Sequence, residues 1–283
     1  ALTVAVFIWL GPAFLTYATM TEMPVMLACA LVLAILADEQ RSRSIVWLAV
    51  SGLIIGIAAT SKQTAVLFAP AVGLWLMLDA YHERRAVGTS IKMLAVFCTG
   101  VVFPLLGVTA YYAATGRLDM YVHATVTTNL VEYAAVPLRI WPRQIVRGQL
   151  LRGLVVWVPA AAVGGIAVWR YLRRSEDRFT ALLALVIAFS FIASRKRTYE
   201  HYVQAYLPAL VMLGVIGWQT GVAALKRSGR SRLWVVAAAV LLSLGTIRHY
   251  ALYTVPEMAT GTLLRQIQIS DRIQSHLEPE EPI

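Results

Sequence analysis

Residues 179–208 read FTALLALVIAFSFIASRKRTYEHYVQAYLP, an apolar run that breaks into a basic, aromatic segment and then turns apolar again. Neither the run 179–193 nor the following stretch 205–224 contains a charged residue. Uncharged runs of this length suit membrane-spanning helices better than core helices or strands. The cations Arg195, Lys196 and Arg197 therefore lie at the mouth of two predicted spans, where ionisable side chains are costly and usually functional.

The whole chain has the same apolar character. It is 59% hydrophobic and only 14% charged, with a mean hydropathy of +0.67, whereas a soluble domain carries about 25% charged residues. We predict an all-α, polytopic transmembrane helical bundle of about nine spans. The predicted spans are 3–19, 23–37, 45–60, 65–78, 93–113, 151–169, 179–193, 205–224 and 233–247.

Three residue types refine this prediction. Pro70 is expected to kink the fourth span. The glycine pairs Gly52/Gly56, Gly164/Gly165 and Gly214/Gly217 favour close packing of helices. Cys29 and Cys98 lie inside apolar runs and are interpreted as small core residues, not as a disulfide or a metal site.

The basic residues indicate how the spans are oriented. Most of them lie in the loops 38–44, 79–92, 170–178 and 225–232, which the positive-inside rule assigns to the cytoplasm. This distribution explains the net charge of +10 without nucleic acid as a partner. It also predicts that Glu22, Lys62, the cluster 195–202, the loop 114–150 and the tail after residue 247 share the extracytoplasmic face of a cell membrane.

The loop 114–150 mixes aromatic, basic and apolar residues, among them His123 and Arg139. This composition favours one or two interfacial extracytoplasmic helices, interrupted at Pro137 and Pro142. The chain starts inside an apolar run without Met, and we expect it to be an excerpt of a longer protein. Its tail, from residue 248, resembles the start of an extracytoplasmic region.

Two isolated charges are candidate site residues. Glu22 either complements a helix dipole at a helix start, or it binds a divalent metal ion or orients a nucleophile. Lys62 either reaches the membrane interface with its long side chain, or it meets a phosphate as a point charge.

The basic cluster allows a similar pair of interpretations. Arg195, Lys196 and Arg197, with Tyr202, could anchor the chain at the interface, or they could hold a phosphate through guanidinium and hydroxyl groups. His201 could carry a proton or simply form an interfacial hydrogen bond. Sequence motifs of zinc proteases, thiol redox proteins, P-loop enzymes and serine hydrolases are absent from the sequence.

Three motifs, in order, resemble C-type glycosyltransferases of the protein mannosyltransferase and lipid A aminoarabinose transferase type. They are LTYATMTEMPVMLACALVLA with Glu22, GLIIGIAATSKQTAVLFAP with Lys62, and FIASRKRTYEHYVQAYLPAL with Lys196 and Tyr202. In the first motif the family often has Asp where this chain has Glu22. In the second, Ser61 takes the place of the usual Thr. The loop with His123 and Arg139 resembles the family's amphipathic extracytoplasmic helices.

The resemblance implies an inverting transferase that moves a sugar from a polyprenyl-phosphate donor to a lipid, glycan or protein acceptor outside the cytoplasm. Residues 1–247 would form a partial transferase module among membrane lipids. Lys62, Arg195, Lys196, Arg197 and Tyr202 would bind the donor phosphate. The polyprenyl chain would lie between spans, and the main catalytic carboxylates would lie upstream of the first residue.

Two other functions fit many of the same features. A transporter or flippase of lipid-linked sugars would also have many spans and phosphate-binding cations, but it is expected to show repeated halves and midplane charges. A non-catalytic membrane scaffold would tolerate replacement of Glu22, Lys62 and Tyr202.

Overall fold

The structure is a computed structural model that describes residues 22–132, 154–174, 176–193, 206–227, 233–249 and 251. These residues are helical and contain no β-strand, so the predicted all-α bundle is confirmed. The α-helices in these ranges are α1 (Glu22–Ala37), α2 (Glu39–Arg43), α3 (Ile45–Ser61), α4 (Phe68–His82), α5 (Val87–Ala114), α6 (Leu118–Val122), α7 (Leu154–Arg174), α8 (Arg178–Ala193), α9 (Leu207–Arg227) and α10 (Leu233–His249). A 3-10 turn, Gln63–Leu67, precedes α4, and a π-helix, His123–Glu132, follows α6.

The observed helices follow the predicted spans closely. Four of the described helical segments are long and apolar enough to cross a membrane: Ala65–His82, α5, α7 and α9. The helices α1, α3 and α8 are also apolar but shorter. The predicted first span, 3–19, lies outside the described residues.

Glycines allow close contact between α3 and α5. A Cβ atom on Gly52 would lie 2.2 Å from the carbonyl oxygen of Phe97, and one on Gly56 would lie 2.4 Å from that of Val101. The two contacts advance together along both helices, so α3 and α5 are parallel. The predicted packing role is thereby confirmed for this pair.

The other glycine pairs behave differently from one another. Gly214 and Gly217 of α9 pack against the backbone of Val156 and Pro159 in α7, as predicted. Gly164 is also tightly packed, with Leu213 and Ala184 as neighbours. Gly165 faces open space, because no atom lies within 4 Å of where its Cβ would be.

Pro70 lies in the first turn of α4, which begins at Phe68, and a kink at this residue stays a prediction. The prediction for one of the two cysteines is wrong. Cys29 is buried as expected, whereas Cys98 is exposed on α5 and is not a core residue.

Candidate functional site

The bundle has two ends that can be followed through its short connections. Helices α4 and α8 run in opposite directions, because Trp75 and Asp79 near the end of α4 contact Arg178, the first residue of α8, while the 3-10 turn before α4 also packs against α8. The end of α3, the start of α4 and the end of α8 therefore share one end, called here the Lys62 end. The opposite end, called here the Asp79 end, holds α2 with Arg43, the connection 83–86 and the start of α8, which ion pairs join. The sequence prediction placed the first group outside the cytoplasm and the second group inside it.

Lys62 is the single residue that connects α3 to the 3-10 turn. Its backbone is extended, with φ −152° and ψ 120°, its N–H donates to the Ala58 carbonyl at 3.0 Å, and its carbonyl accepts from the Ala65 N–H at 3.0 Å. The residue is half-buried, and this burial lowers the pKa of the lysine to about 8, because a partly desolvated ammonium is less stable than the neutral amine. An anion bound there would restore the charged form.

The predicted basic cluster begins where α8 ends. The 3-10 turn after Lys62 and helix α4 both pack against α8, and α8 ends at Ala193. The remaining predicted site residues of this region lie outside the described residues: Arg195, Lys196, Arg197, His201, Tyr202 and Arg139.

Glu22 and His123 are positioned on the chain but are not brought together with Lys62 by any described contact. Glu22 is the first residue of α1, with Pro24 in the first turn, which agrees with the helix-start interpretation of its backbone. The structure describes the backbone of Glu22 but not its side chain. Among the described residues, no group of three His, Cys, Asp or Glu could hold a metal ion, and a metal at Glu22 stays a prediction.

His123 is the first residue of the π-helix, and its side chain is exposed. The preceding helix α6 is held against α5 by stacked rings of Tyr112 and Tyr121, with centroids 4.8 Å apart. The predicted helical character of the loop is therefore confirmed as far as Glu132. Pro137 and Pro142 lie outside the described residues.

An apolar groove lies between α7 and α8, with a volume of about 420 Å³. The sequence analysis expected a groove between spans without locating it. The signal was the recurrence of small residues along one face of α7 and of α8. The groove is lined by Trp157, Ala160, Ala161, Gly164, Gly165, Val168, Ala184, Ile187, Ala188 and Leu213.

A buried ion pair at the Asp79 end was missed by the sequence analysis. Asp79 is only 3% exposed, and its carboxylate contacts Nε of Arg178 at 2.5 Å and accepts from Nη2 at 2.8 Å. The Arg178 guanidinium also lies over the Trp75 ring, 4.5 Å from its centroid. The signal in the sequence was a single acid at the end of the apolar run 63–78.

The ion pair continues into a surface network. Arg85 donates from Nε to Glu83 at 2.6 Å, Glu83 accepts from Arg43 at 2.6 Å, and Arg43 pairs with Glu39 at 2.5 Å. Burial acts to raise the pKa of Glu83, but the hydrogen bond and charge of Arg85 and the charge of Arg43 outweigh it and hold the pKa below its usual value. The network joins three connections that the charge count had placed on one side of the membrane.

Comparison with known proteins indicates the kind of enzyme to which this helical bundle belongs. The family model of glycosyltransferase family 87 matches residues 1–195, which is more than half of the chain and includes Glu22 and Lys62. No curated protein and no solved structure matches the chain. The apolar helices and the family match together define a membrane glycosyltransferase. The chain belongs to glycosyltransferase family 87.

Proposed function

We propose that this glycosyltransferase takes its sugar from a polyprenyl-phosphate donor and transfers it, with inversion, to an acceptor on the extracytoplasmic face of a multi-pass membrane domain. The observation that carries the proposal is the apolar groove between α7 and α8. A donor of this class has a long hydrocarbon tail and an anionic head, so its site needs an apolar channel at membrane depth that leads to cations.

The groove and the candidate cations are linked through one helix. Ala184, Ile187 and Ala188 of α8 line the groove, and this helix ends at Ala193, next to the segment with Arg195, Lys196 and Arg197. Ala188 precedes Ala193 by five residues, which is about 7.5 Å along a helix. A tail in the groove could therefore place its phosphate near these cations.

The position of Lys62 supports a phosphate site at the same end of the bundle. Its 3-10 turn packs against α8, and α4 meets the first residue of α8 through Trp75 and Asp79. Since α4 and α8 run in opposite directions, the turn meets α8 toward its last residues. Lys62 would then approach the donor phosphate from one side and the cluster after Ala193 from another.

The reaction would be a single displacement at the anomeric carbon. An acceptor hydroxyl oxygen forms the new bond to that carbon while its bond to the phosphate oxygen breaks, and the hydroxyl proton passes to a carboxylate base. Polyprenyl phosphate leaves with one additional negative charge, which Lys62 and the basic cluster would stabilise. Glu22 would orient the acceptor or a divalent metal ion.

A leucine at Gly165 tests the groove, since open space surrounds this glycine. Purified protein in vesicles would be assayed for transfer from a panel of polyprenyl-phosphate hexoses and pentoses. G165L should fill the groove and displace about two methylene groups of the tail, a loss of about 1.6 kcal/mol, which raises the donor KM about tenfold.

Gly107 provides the matched control, because it also lies in a helix, exposed and with no atom within 4 Å of a Cβ. G107L should leave the donor KM unchanged. Equal effects of the two substitutions, or no effect of G165L, would show that the groove does not hold the donor. Absence of transfer from every donor in the panel by the wild-type protein would contradict the proposed donor class itself.

A further inference from the structure

The Asp79–Arg178 ion pair has no part in the proposed chemistry, since it lies at the opposite end of the bundle from Lys62. We infer that Asp79 and Arg178 are positioning residues: they fix α8 along its axis, and thereby hold the wall that α8 contributes to the groove. This inference rests on the proposed function for its effect on the donor, but its structural part can be measured separately.

Arg178 is held by α4 through both its side chain and its backbone. Two guanidinium nitrogens contact the two carboxylate oxygens of Asp79, at 2.5 and 2.8 Å. The indole Nε1 of Trp75 donates to the Arg178 carbonyl at 3.1 Å, while the guanidinium lies over the same indole ring. Because Arg178 is the first residue of α8, these contacts determine where that helix begins.

The carboxylate has further partners that keep it in place. The Tyr171 hydroxyl lies 3.4 Å from one oxygen of Asp79 and also donates to the Trp75 carbonyl at 3.3 Å. Arg85 lies 3.8 Å from the other oxygen. Asp79, Trp75 and Tyr171 are each at most 3% exposed, so the acceptor for Arg178 is itself immobilised by α4 and α7.

Removal of the carboxylate charge would leave a partly buried guanidinium without its partner, next to the second cation Arg85. An uncompensated buried charge is strongly unfavourable, and Arg178 could regain hydration only by moving outward toward the Asp79 end. A helix moves as a rigid rod, and the 16 residues of α8 extend about 24 Å. The groove wall and the end at Ala193 would therefore move with Arg178.

The experiment measures the depth of α8 in the bilayer with labelled proteins, and the donor kinetics with the same Asp79 and Arg178 variants left unlabelled and with Ala188 intact, because Ala188 lines the groove. A nitroxide on Cys at Ala188, an exposed position on α8, reports depth through its relative accessibility to oxygen and to a polar nickel chelate. Cys98 is first replaced by Ser because it is exposed, and a label at Leu106 of α5 serves as the reference position.

D79N should move the label at residue 188 by about one residue rise, 1.5 Å, or more, with no movement at residue 106. It should also raise the donor KM about tenfold, because small displacements of positioned groups have large effects on reactivity. D79N/R178Q should restore both values toward those of the wild-type protein, since neither charge then remains unpaired. D38N, which removes an exposed acid at the same end, should change neither quantity.

R178K provides a second variant if D79N cannot be purified. Lysine keeps the charge but cannot make the two-point contact, so a smaller movement of the same sign is expected. An unchanged depth in D79N or R178K, with only a lower unfolding temperature, would overturn the positioning role. Failure of the wild-type protein to use any polyprenyl-phosphate sugar would remove the proposed function, while the depth measurement would still decide the role of the pair.

Discussion

Lys62 is the predicted site residue about which the structure says most. The sequence left open whether this lysine only reaches the interface or meets an anion. In the fold it caps α3, lies half-buried and has a pKa lowered to about 8. Binding of the donor phosphate by Lys62 stays a prediction, and the pKa provides a way to test it.

This pKa leads to a pH dependence of donor binding. The Lys62 charge is lost as the pH rises through about 8, while the donor, a phosphodiester, keeps a constant charge in this range. The donor KM should therefore increase between about pH 7 and pH 9 in the wild-type protein and stay level in K62R, because arginine stays protonated. Steady-state kinetics across this range make the comparison.

K92R serves as the control, since Lys92 is an exposed lysine near the start of α5, and its pH profile should follow that of the wild-type protein. Coincident profiles for wild type and K62R would contradict the assignment of Lys62 to the donor phosphate.

The lowered pKa of Lys62 also determines how its contribution to the stability of the protein depends on pH. Between about pH 8 and the ordinary value of 10.5 the unfolded chain binds more protons than the folded chain, so the contribution of Lys62 to stability grows as the pH rises.

At the scale of the helices, packing between α3 and α5 depends on glycines, which have no side chain. Gly52 and Gly56 bring the two backbones within contact distance, and apolar residues alone would not give this approach in lipid, where burial of apolar surface supplies little driving force between helices. The glycines predicted this contact, but only the fold identified α5 as the partner.

A methyl group at Gly52 should therefore destabilise the protein. G52A would place Cβ 2.2 Å from the Phe97 carbonyl oxygen, and relief of such overpacking costs about 1–3 kcal/mol. The unfolding temperature in detergent should fall for G52A. It should stay level or rise for G107A, where there is space for the methyl group and alanine is the better helix former by about 1 kcal/mol. Equal unfolding temperatures for the two variants would argue against close packing at Gly52.

At the scale of the whole molecule, the ion pairs among residues 22–132, 154–174 and 176–193 lie at the Asp79 end. Ion pairs at the Asp79 end connect α2, the turn after α4 and the start of α8. The distribution of basic residues among the loops predicts that this end faces the cytoplasm.

The topology is tested by labelling from each side of the membrane. Cysteines would replace Arg84, Arg174 and Ser61, which are exposed, in a C98S background. A membrane-impermeant maleimide added outside intact cells should label S61C, while R84C and R174C should react only after permeabilisation. Labelling of S61C and R84C from the same side would contradict the two-ended arrangement.

Much of the helical architecture could be predicted because it is a local property of the chain. Apolar length and uncharged composition determine where helices form in a membrane, and the observed bounds of α3, α8 and α10 differ from the predicted ones by at most two residues. The exposure of Cys98 could not be predicted, because hydropathy does not distinguish a side chain that faces lipid from one that faces a neighbouring helix.

The sequence by itself determined the class of protein, the positions of the spans, and the separation of isolated charges from basic loops, since each depends on residues that are near one another in the chain. Only the tertiary structure decided the partners. The groove between α7 and α8, the contact of the Lys62 turn with α8, and the pairing of Asp79 with Arg178 across about a hundred residues all depend on which helices are adjacent. Helix adjacency arises from side-chain shape and buried charge, and no local pattern in a uniformly apolar sequence records it.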